Sequence, residues 1–299
     1  MNARAALRWL LASLSLACLC APETAHAANA MLLPEGAVTL IRATTVYRVN
    51  APVALEPGDL LATGPQAGAQ IEYGDGAIAA LAADTRLAID ATTATDSLAL
   101  LGGWIKVTRT HALQSSALSI ETTAWHAVLS DGAAVVHADT DAVSLFVENG
   151  SITLSLSGRG QHPQLLSAER YVQRAKDDAG KPLATQPGPT PGFIAAMPMP
   201  FRDPLGAIVR RAAAKDKPLV DDHTASYADI GDWLTTSFPL RRTFVARFRP
   251  LAQTQPFRSQ MQQHLRDLPE WRRVLCPPPA PPRARINVPI EATTTEDAS

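Results

Sequence analysis

Seven histidines, three cysteines and 28 carboxylates are the residues of this 299-residue chain that could act as bases, nucleophiles or metal ligands. Six of the histidines, His111, His126, His137, His162, His223 and His264, lie beyond the N-terminal segment, and their spacing decides what they can do. None sits in an HExxH helix, where two imidazoles one turn apart hold zinc, and none has the HxH…E spacing of a cupin site. His126 and His137 flank Asp131-Gly132. If that dipeptide is a hairpin turn, the two rings meet across two strands and, with Asp139, form an incomplete metal site; satisfied or exposed imidazoles are the other reading. No G-x-S-x-G elbow, GxGxxG or GxxxxGK loop is present, and Gly158-Arg159-Gly160 reads as a turn. Asn149-Gly150-Ser151 is formally a glycosylation sequon, but a hairpin explains it better. No catalytic set, metal or cofactor is expected, so the chain reads as non-enzymatic.

Composition narrows the class further. A hydrophobic content of 46 % excludes global disorder, and a net charge of −1 excludes a whole-chain polyanion binder. Arg4 and Arg8 precede an apolar run from Trp9 to Cys20 that is too short for a spanning helix, which needs about 20 residues. Pro22 breaks the run, and Ala25-His26-Ala27 supplies the small residues of a cleavage site. These features predict a signal peptide over 1–27, cut between Ala27 and Ala28, and a periplasmic protein with no later membrane span. Lipidation at Cys18 is the alternative, with Ser15 where a lipobox prefers leucine. Cleavage removes Cys18 and Cys20 and leaves Cys276 as a free thiol beside a proline run, or in an intermolecular disulfide.

The elements that must position these residues change character along the chain. Residues 28–180 read as an all-β domain. Val38–Val49, Gln70–Tyr73, Leu98–Thr108, Leu118–Leu129, Val143–Val147 and Ile152–Leu156 are rich in apolar and β-branched residues. Asp75-Gly76, Gly102-Gly103, Asp131-Gly132 and Asn149-Gly150 predict hairpin turns between them. Asp75-Gly76-Ala77 leading to Ala83-Asp84-Thr85 is echoed by Asp131-Gly132-Ala133 leading to Ala138-Asp139-Thr140. Either the domain contains two similar arches, or common turn residues recur by chance.

Four pieces in register carry a family resemblance. Gly58-Asp59-Leu60-Leu61-Ala62-Thr63-Gly64 resembles the GDxLxTG step of the FecR family, the iron dicitrate transport regulators. Ala69–Gly76 is similar to that family's a-x-I-x-x-x-DG hairpin, Ala83–Ile89 to p-x-T-x-l-x-i, and Leu98–Val107 to l-x-l-x-x-G-x-i-x-V. The resemblance covers roughly residues 36–156. It implies a periplasmic, antiparallel β-sandwich or β-helical domain that signals by protein contact, with no catalytic residues. The family's regulators carry a cytoplasmic sigma-factor-binding segment and a membrane span. Here an export signal stands in that place, so sigma-factor regulation is not carried over.

Prolines crowd residues 181–204 and predict an extended linker over 181–200, or a wrapping arm, without helix or sheet ladder. From 201 to 276 the period becomes helical. Tyr227, Ile230 and Leu234 follow a Ser226/Asp229 capping box. Phe244, Phe248 and Leu251 form a second stripe, and Phe257, Met261, Leu265 and Leu268 a third behind Pro256. These stripes make either a small helical core or an aromatic ligand groove. Residues 277–299 form a Pro/Thr-rich tail that cannot bury a core.

Residues 28–180 carry a net charge of −7 and residues 198–276 a net of +5. Arg241, Arg242, Arg247 and Arg249 are therefore the candidate interaction face, docking on the acidic β-domain or meeting an anionic envelope polymer. Taken together, the sequence predicts an exported protein working by contact with an unidentified envelope protein, in signalling or as an adaptor. A module binding envelope polysaccharide or peptidoglycan is the alternative; nucleic acid is not an expected partner.

Overall fold

The computed structural model describes residues 30–90, 96–110, 117–156, 162–178, 181–208 and 219–277. The predicted leader, His111, Gly158-Arg159-Gly160 and the tail from 278 lie outside them.

Short runs of largely buried residues, covered on both faces, build the N-terminal strands: β1 (Met31–Glu35), β2 (Val38–Arg42), β3 (Thr45–Val49), β4 (Val53–Ala54), β5 (Leu60–Thr63), β6 (Gly68–Glu72), β7 (Ile78–Leu81) and β8 (Arg86–Ile89). Three long strands follow, β9 (Asp96–Arg109), β11 (Trp125–Ala138) and β12 (Ala142–Leu156), with the short β10 (Leu118–Glu121) between the first two. Then come β13 (Gln164–Ser167), β14 (Arg170–Ala175), β15 (Thr185–Pro187) and, far along the chain, β16 (Asp221–Thr224). All sixteen belong to one hydrogen-bonded sheet, antiparallel except for the β9–β10 pair.

The long strands serve two neighbourhoods each. Residues 96–102 of β9 pair with β8 and β10, whereas residues 103–109 pair with β7 and β11. Residues 151–154 of β12 pair with β13, whereas residues 142–146 pair with β14. The sheet thus folds over on itself into two layers around one core, which takes Leu32, Ile71, Val107 and Leu145 from one half and Leu40, Leu87, Ile120 and Trp125 from the other.

The glycines that predict hairpins at 102–103, 131–132 and 149–150 lie inside these strands instead. Gly132 and Gly150 are directly opposite one another, flanked by register shifts, with φ of +113° and +72°. A Cβ on Gly132 would come within 2.2 Å of the Asn149 carbonyl oxygen, and one on Gly150 equally close to that of Asp131. Positive φ is what a type I′ turn needs, but a bulged crossing of two strands needs it too. The β11–β12 reversal falls at 139–141, where Asp139 Oδ1 accepts from the Asp141 and Ala142 amides, both at 2.7 Å. Asp75-Gly76 is the expected turn between β6 and β7. The two Asp-Gly-Ala copies are therefore not structural equivalents.

The proline-rich stretch is a wrapping arm, and it contains the helix and the ladder that its prolines were expected to forbid. β15 pairs with β14, and α1 (Pro191–Ala196) begins with proline at its first position, where no N–H is needed. Thr190 Oγ1 accepts from the Phe193 amide to cap it. Phe193, Met197 and Phe201 then cover the outer face of one layer, against Ala80, Val135 and Tyr171. Buried Lys106 pins the arm: its Nζ donates to Glu148 and to the carbonyls of Phe201 (2.8 Å) and Asp203 (3.0 Å).

The C-terminal helices cover the other layer. α2 (Tyr227–Thr235), α3 (Thr243–Phe248), α4 (Gln255–Gln263) and α5 (Arg272–Leu275) pack Trp233, Phe244, Phe248, Met261 and Leu275 into one cluster with Ile41, Val46, Leu60, Ala88 and Ala99. The stripes are core, not an open groove, and that core is shared with the sheet. β16 joins it too, pairing with β3. Among the described residues no helix is long and apolar enough to cross a membrane.

Candidate functional site

The motif Gly58–Gly64 forms a turn that runs into β5. Asp59, 1 % exposed, accepts from Arg42 Nε (2.9 Å) and Nη2 (2.6 Å) and from the Glu56 amide (2.8 Å). Arg42 also donates to Glu56 and to the Ala54 carbonyl. The Asp59 hydrogen bond raises the Arg42 pKa above its ordinary value, favouring the charged guanidinium. Thr63 Oγ1 donates to the Ala82 carbonyl (2.6 Å) and accepts from the Thr85 amide (2.9 Å). The leucines between them face opposite ways, Leu60 under the helices and Leu61 in the sandwich core. The motif's polar atoms are spent holding turns and strands together.

The C-terminal helices return to this turn. Arg247 of α3 donates Nε to the Ala43 carbonyl (2.7 Å), Nη1 to that of Gly58 (2.5 Å) and Nη2 to that of Ile41 (2.8 Å). Its guanidinium carbon lies 4.6 Å from the Phe248 ring centroid. Burial lowers its pKa to about 10, against the nearby charge of Asp59, so it stays a cation at neutral pH. The expected face of four arginines is dispersed. Arg241 braces the helices internally, donating to both Glu270 carboxylate oxygens (2.5 and 2.9 Å) and to the Asp267 carbonyl (2.6 Å). Arg242 and Arg249 are exposed.

Two ion pairs that join the N-terminal strands to the C-terminal segment also run opposite to the net charges. Arg48 and Arg86 are the sheet's cations, and Asp222 and Asp232 are the anions of the C-terminal segment. Net charge of a segment does not decide which side chains meet at its boundary.

The histidines are not brought together. His126 and His137 lie on the same strand, β11, on either side of the Gly132 crossing and not across a turn. His126 stands opposite Glu121 and Ser155; His137 stacks on Trp104 at 4.1 Å, with Nδ1 3.9 Å from Asp139 Oδ2. Burial lowers the pKa of both rings. His162 is exposed, His223 bridges Asp222 and Asp229, and His264 stacks on Tyr227. Cys276 is exposed and free. Among the described residues no three His, Cys, Asp or Glu side chains group to hold a metal.

An open cleft of about 1110 Å³ lies where three parts of the chain converge. The 139–141 hairpin tip with Trp104 and His137 forms one side, Arg174 and Lys176 of the next segment another, and Asp232, Thr235, Thr236 and Ser237, at and just past the end of α2, a third. Carboxylates and cations both line it. Sequence reading missed this convergence, and it missed Lys106 and Arg109, both 1 % exposed. Arg109 Nη2 donates to Asp75 at 2.5 Å. A lysine between Ile105 and Val107 was the available signal for a buried cation.

A family model described as FecR protein matches residues 59–153. Two crystal structures of a candidate anti-sigma factor from Parabacteroides distasonis ATCC 8503 are similar at 10 % and 11 % identity, each with a TM-score of 0.37 over 43 % of this chain. The similar part spans 59 % of those solved chains. No curated protein matches. The stretch that matches the FecR model, residues 59–153, runs from the Asp59 brace through the glycine crossing of β11 and β12.

Proposed function

We propose that this chain is an exported, non-enzymatic FecR-domain protein that acts by contact with another protein in the cell envelope, as a signalling or adaptor component. The FecR family is a regulatory one, and the motif residues here brace the fold. The observation that carries the reading is the composite cleft. It is wide, open and mixed in charge, and the FecR domain, the following segment and α2 each supply a wall. Such a groove suits a polypeptide segment with both charges better than a small substrate, which favours an enclosed and mostly apolar pocket. Export rests on the charged, apolar and small-residue pattern before Ala28.

A photo-crosslinking residue placed at Asp141 on the cleft rim, followed by mass spectrometry of envelope fractions, tests the reading. A discrete protein adduct is expected, and N-terminal sequencing should find the mature chain starting at Ala28. Recovery of glycan alone would overturn it. That outcome favours a second reading, an anionic-polymer binder, which the exposed Arg242 and Arg249 support.

A further inference from the structure

β16 ends the sheet beside β3, and no apolar side chain holds it there: its sequence is Asp-Asp-His-Thr, and all four residues are exposed. Its neighbours are charges. Arg48 of β3 donates Nε to Asp222 Oδ2 at 3.0 Å. His223 lies between that carboxylate and α2, with Nδ1 3.1 Å from Asp222 Oδ2 and Nε2 3.1 Å from Asp229 Oδ2. Asp229 Oδ2 also accepts from the Ser226 amide (2.7 Å) and hydroxyl (2.6 Å), in the capping box that starts α2. A line of side chains runs from β3 across β16 to the first turn of α2, and one imidazole is its middle link.

We infer that His223 is a proton-operated latch, which fastens β16 between β3 and α2 when the ring is charged and releases it when the ring is neutral. Both ring nitrogens face carboxylate oxygens. An ionised carboxylate only accepts, so both contacts are hydrogen bonds only when both nitrogens carry protons. A neutral ring keeps one N–H, and the lone pair of its other nitrogen then points at an anionic oxygen. The charged groups facing the ring are Asp229 of α2 and Asp222 of its own strand, with Arg48 of β3 reaching it through Asp222. Once the ring is neutral, Arg48 alone opposes these two carboxylates, and Asp221 adds a third beside them. The hydrogen bond to Asp229 first, opposed by burial and supported by Asp222, holds the ring's pKa above its ordinary value. The latch is therefore complete below the unfolded value of about 6.5 and is lost as pH rises through the folded one. Its contacts are exposed, so it governs β16 and not the fold as a whole.

NMR titration of the imidazoles in the whole chain, with the His223 signal assigned by its loss in His223→Gln, tests this together with hydrogen exchange at Asp221–Thr224. The His223 ring should titrate above the roughly 6.5 of a free imidazole, and Asp229→Asn should bring its midpoint down. Protection of the 221–224 amides, corrected for the intrinsic effect of pH on exchange, should be lost between about pH 5.5 and about pH 8, while that of the central strand β11 is kept. Glutamine offers no titrating group, so in His223→Gln the corrected protection should be the same at both pH values. A ring midpoint at or below the free value, 221–224 protection indifferent to pH, or a pH dependence that His223→Gln leaves intact would each overturn the inference. Failure of the cleft to capture a protein would leave this result untouched, because the purified chain alone is measured and His223 does not line the cleft.

Discussion

Arg242 and Arg247 are five positions apart, equally charged, and placed in opposite circumstances. Arg247→Ala removes three charge-assisted hydrogen bonds to carbonyls beneath α3 and should cost about 3 kcal/mol in urea unfolding. Arg247→Lys should recover only part, since an ammonium cannot reproduce the planar fork. Arg242→Ala should change stability by less than about 0.5 kcal/mol. The sequence singled out Arg247 by counting charge, but its partners are backbone carbonyls, which no side-chain count reveals. Glu121 gives the clearest pH dependence. Burial first, and the charge of Asp90 second, raise its pKa to about 7. The folded state therefore binds this proton more tightly than the unfolded state. Glu121 contributes stability below its unfolded pKa, and that stability is lost as pH rises through about 7. Glu121→Gln should raise the thermal midpoint at pH 8 and hardly move it at pH 4.

At the scale of elements, the legible features were those with local causes. Ser226 and Asp229 predict the start of α2, where Asp229 Oδ2 accepts from the Ser226 amide at 2.7 Å. Phe244, Phe248 and Met261 predict buried helix faces by their spacing alone. The glycines were legible as special but not as to kind, because one backbone conformation serves both a turn and a strand crossing. Gly150→Ala should therefore behave as a core lesion: its Cβ would stand 2.2 Å from a backbone oxygen that cannot move aside. Loss of soluble protein or a large drop in thermal midpoint is the expected result, and a neutral outcome would contradict the crossing. The arm was misjudged because proline was weighed without its position in the helix. Lys106→Ala should free it, leaving Glu148 and two carbonyls without their cation at a cost of about 3 kcal/mol. Limited proteolysis would detect faster cleavage within 191–208.

For the whole molecule, the sequence divided the chain where the structure joins it. Hydrophobic period marks where strands give way to helices, yet it carries no record of which surfaces later meet. Ending the chain at residue 208 should bare Ile41, Val46 and Leu60, and dye binding to exposed apolar surface should rise sharply over the intact protein. The same join sets a schedule for the chain's assembly. Ala43 and the arginine that seals its carbonyl are 204 positions apart. At the roughly 5–20 residues per second of synthesis, the first strands wait about 10–40 s for their cover. Contacts of such long range also close slowly in any chain. The interval leaves an apolar sheet face open to the surroundings, so the nascent protein should depend on a holding chaperone until the last quarter of its sequence has emerged.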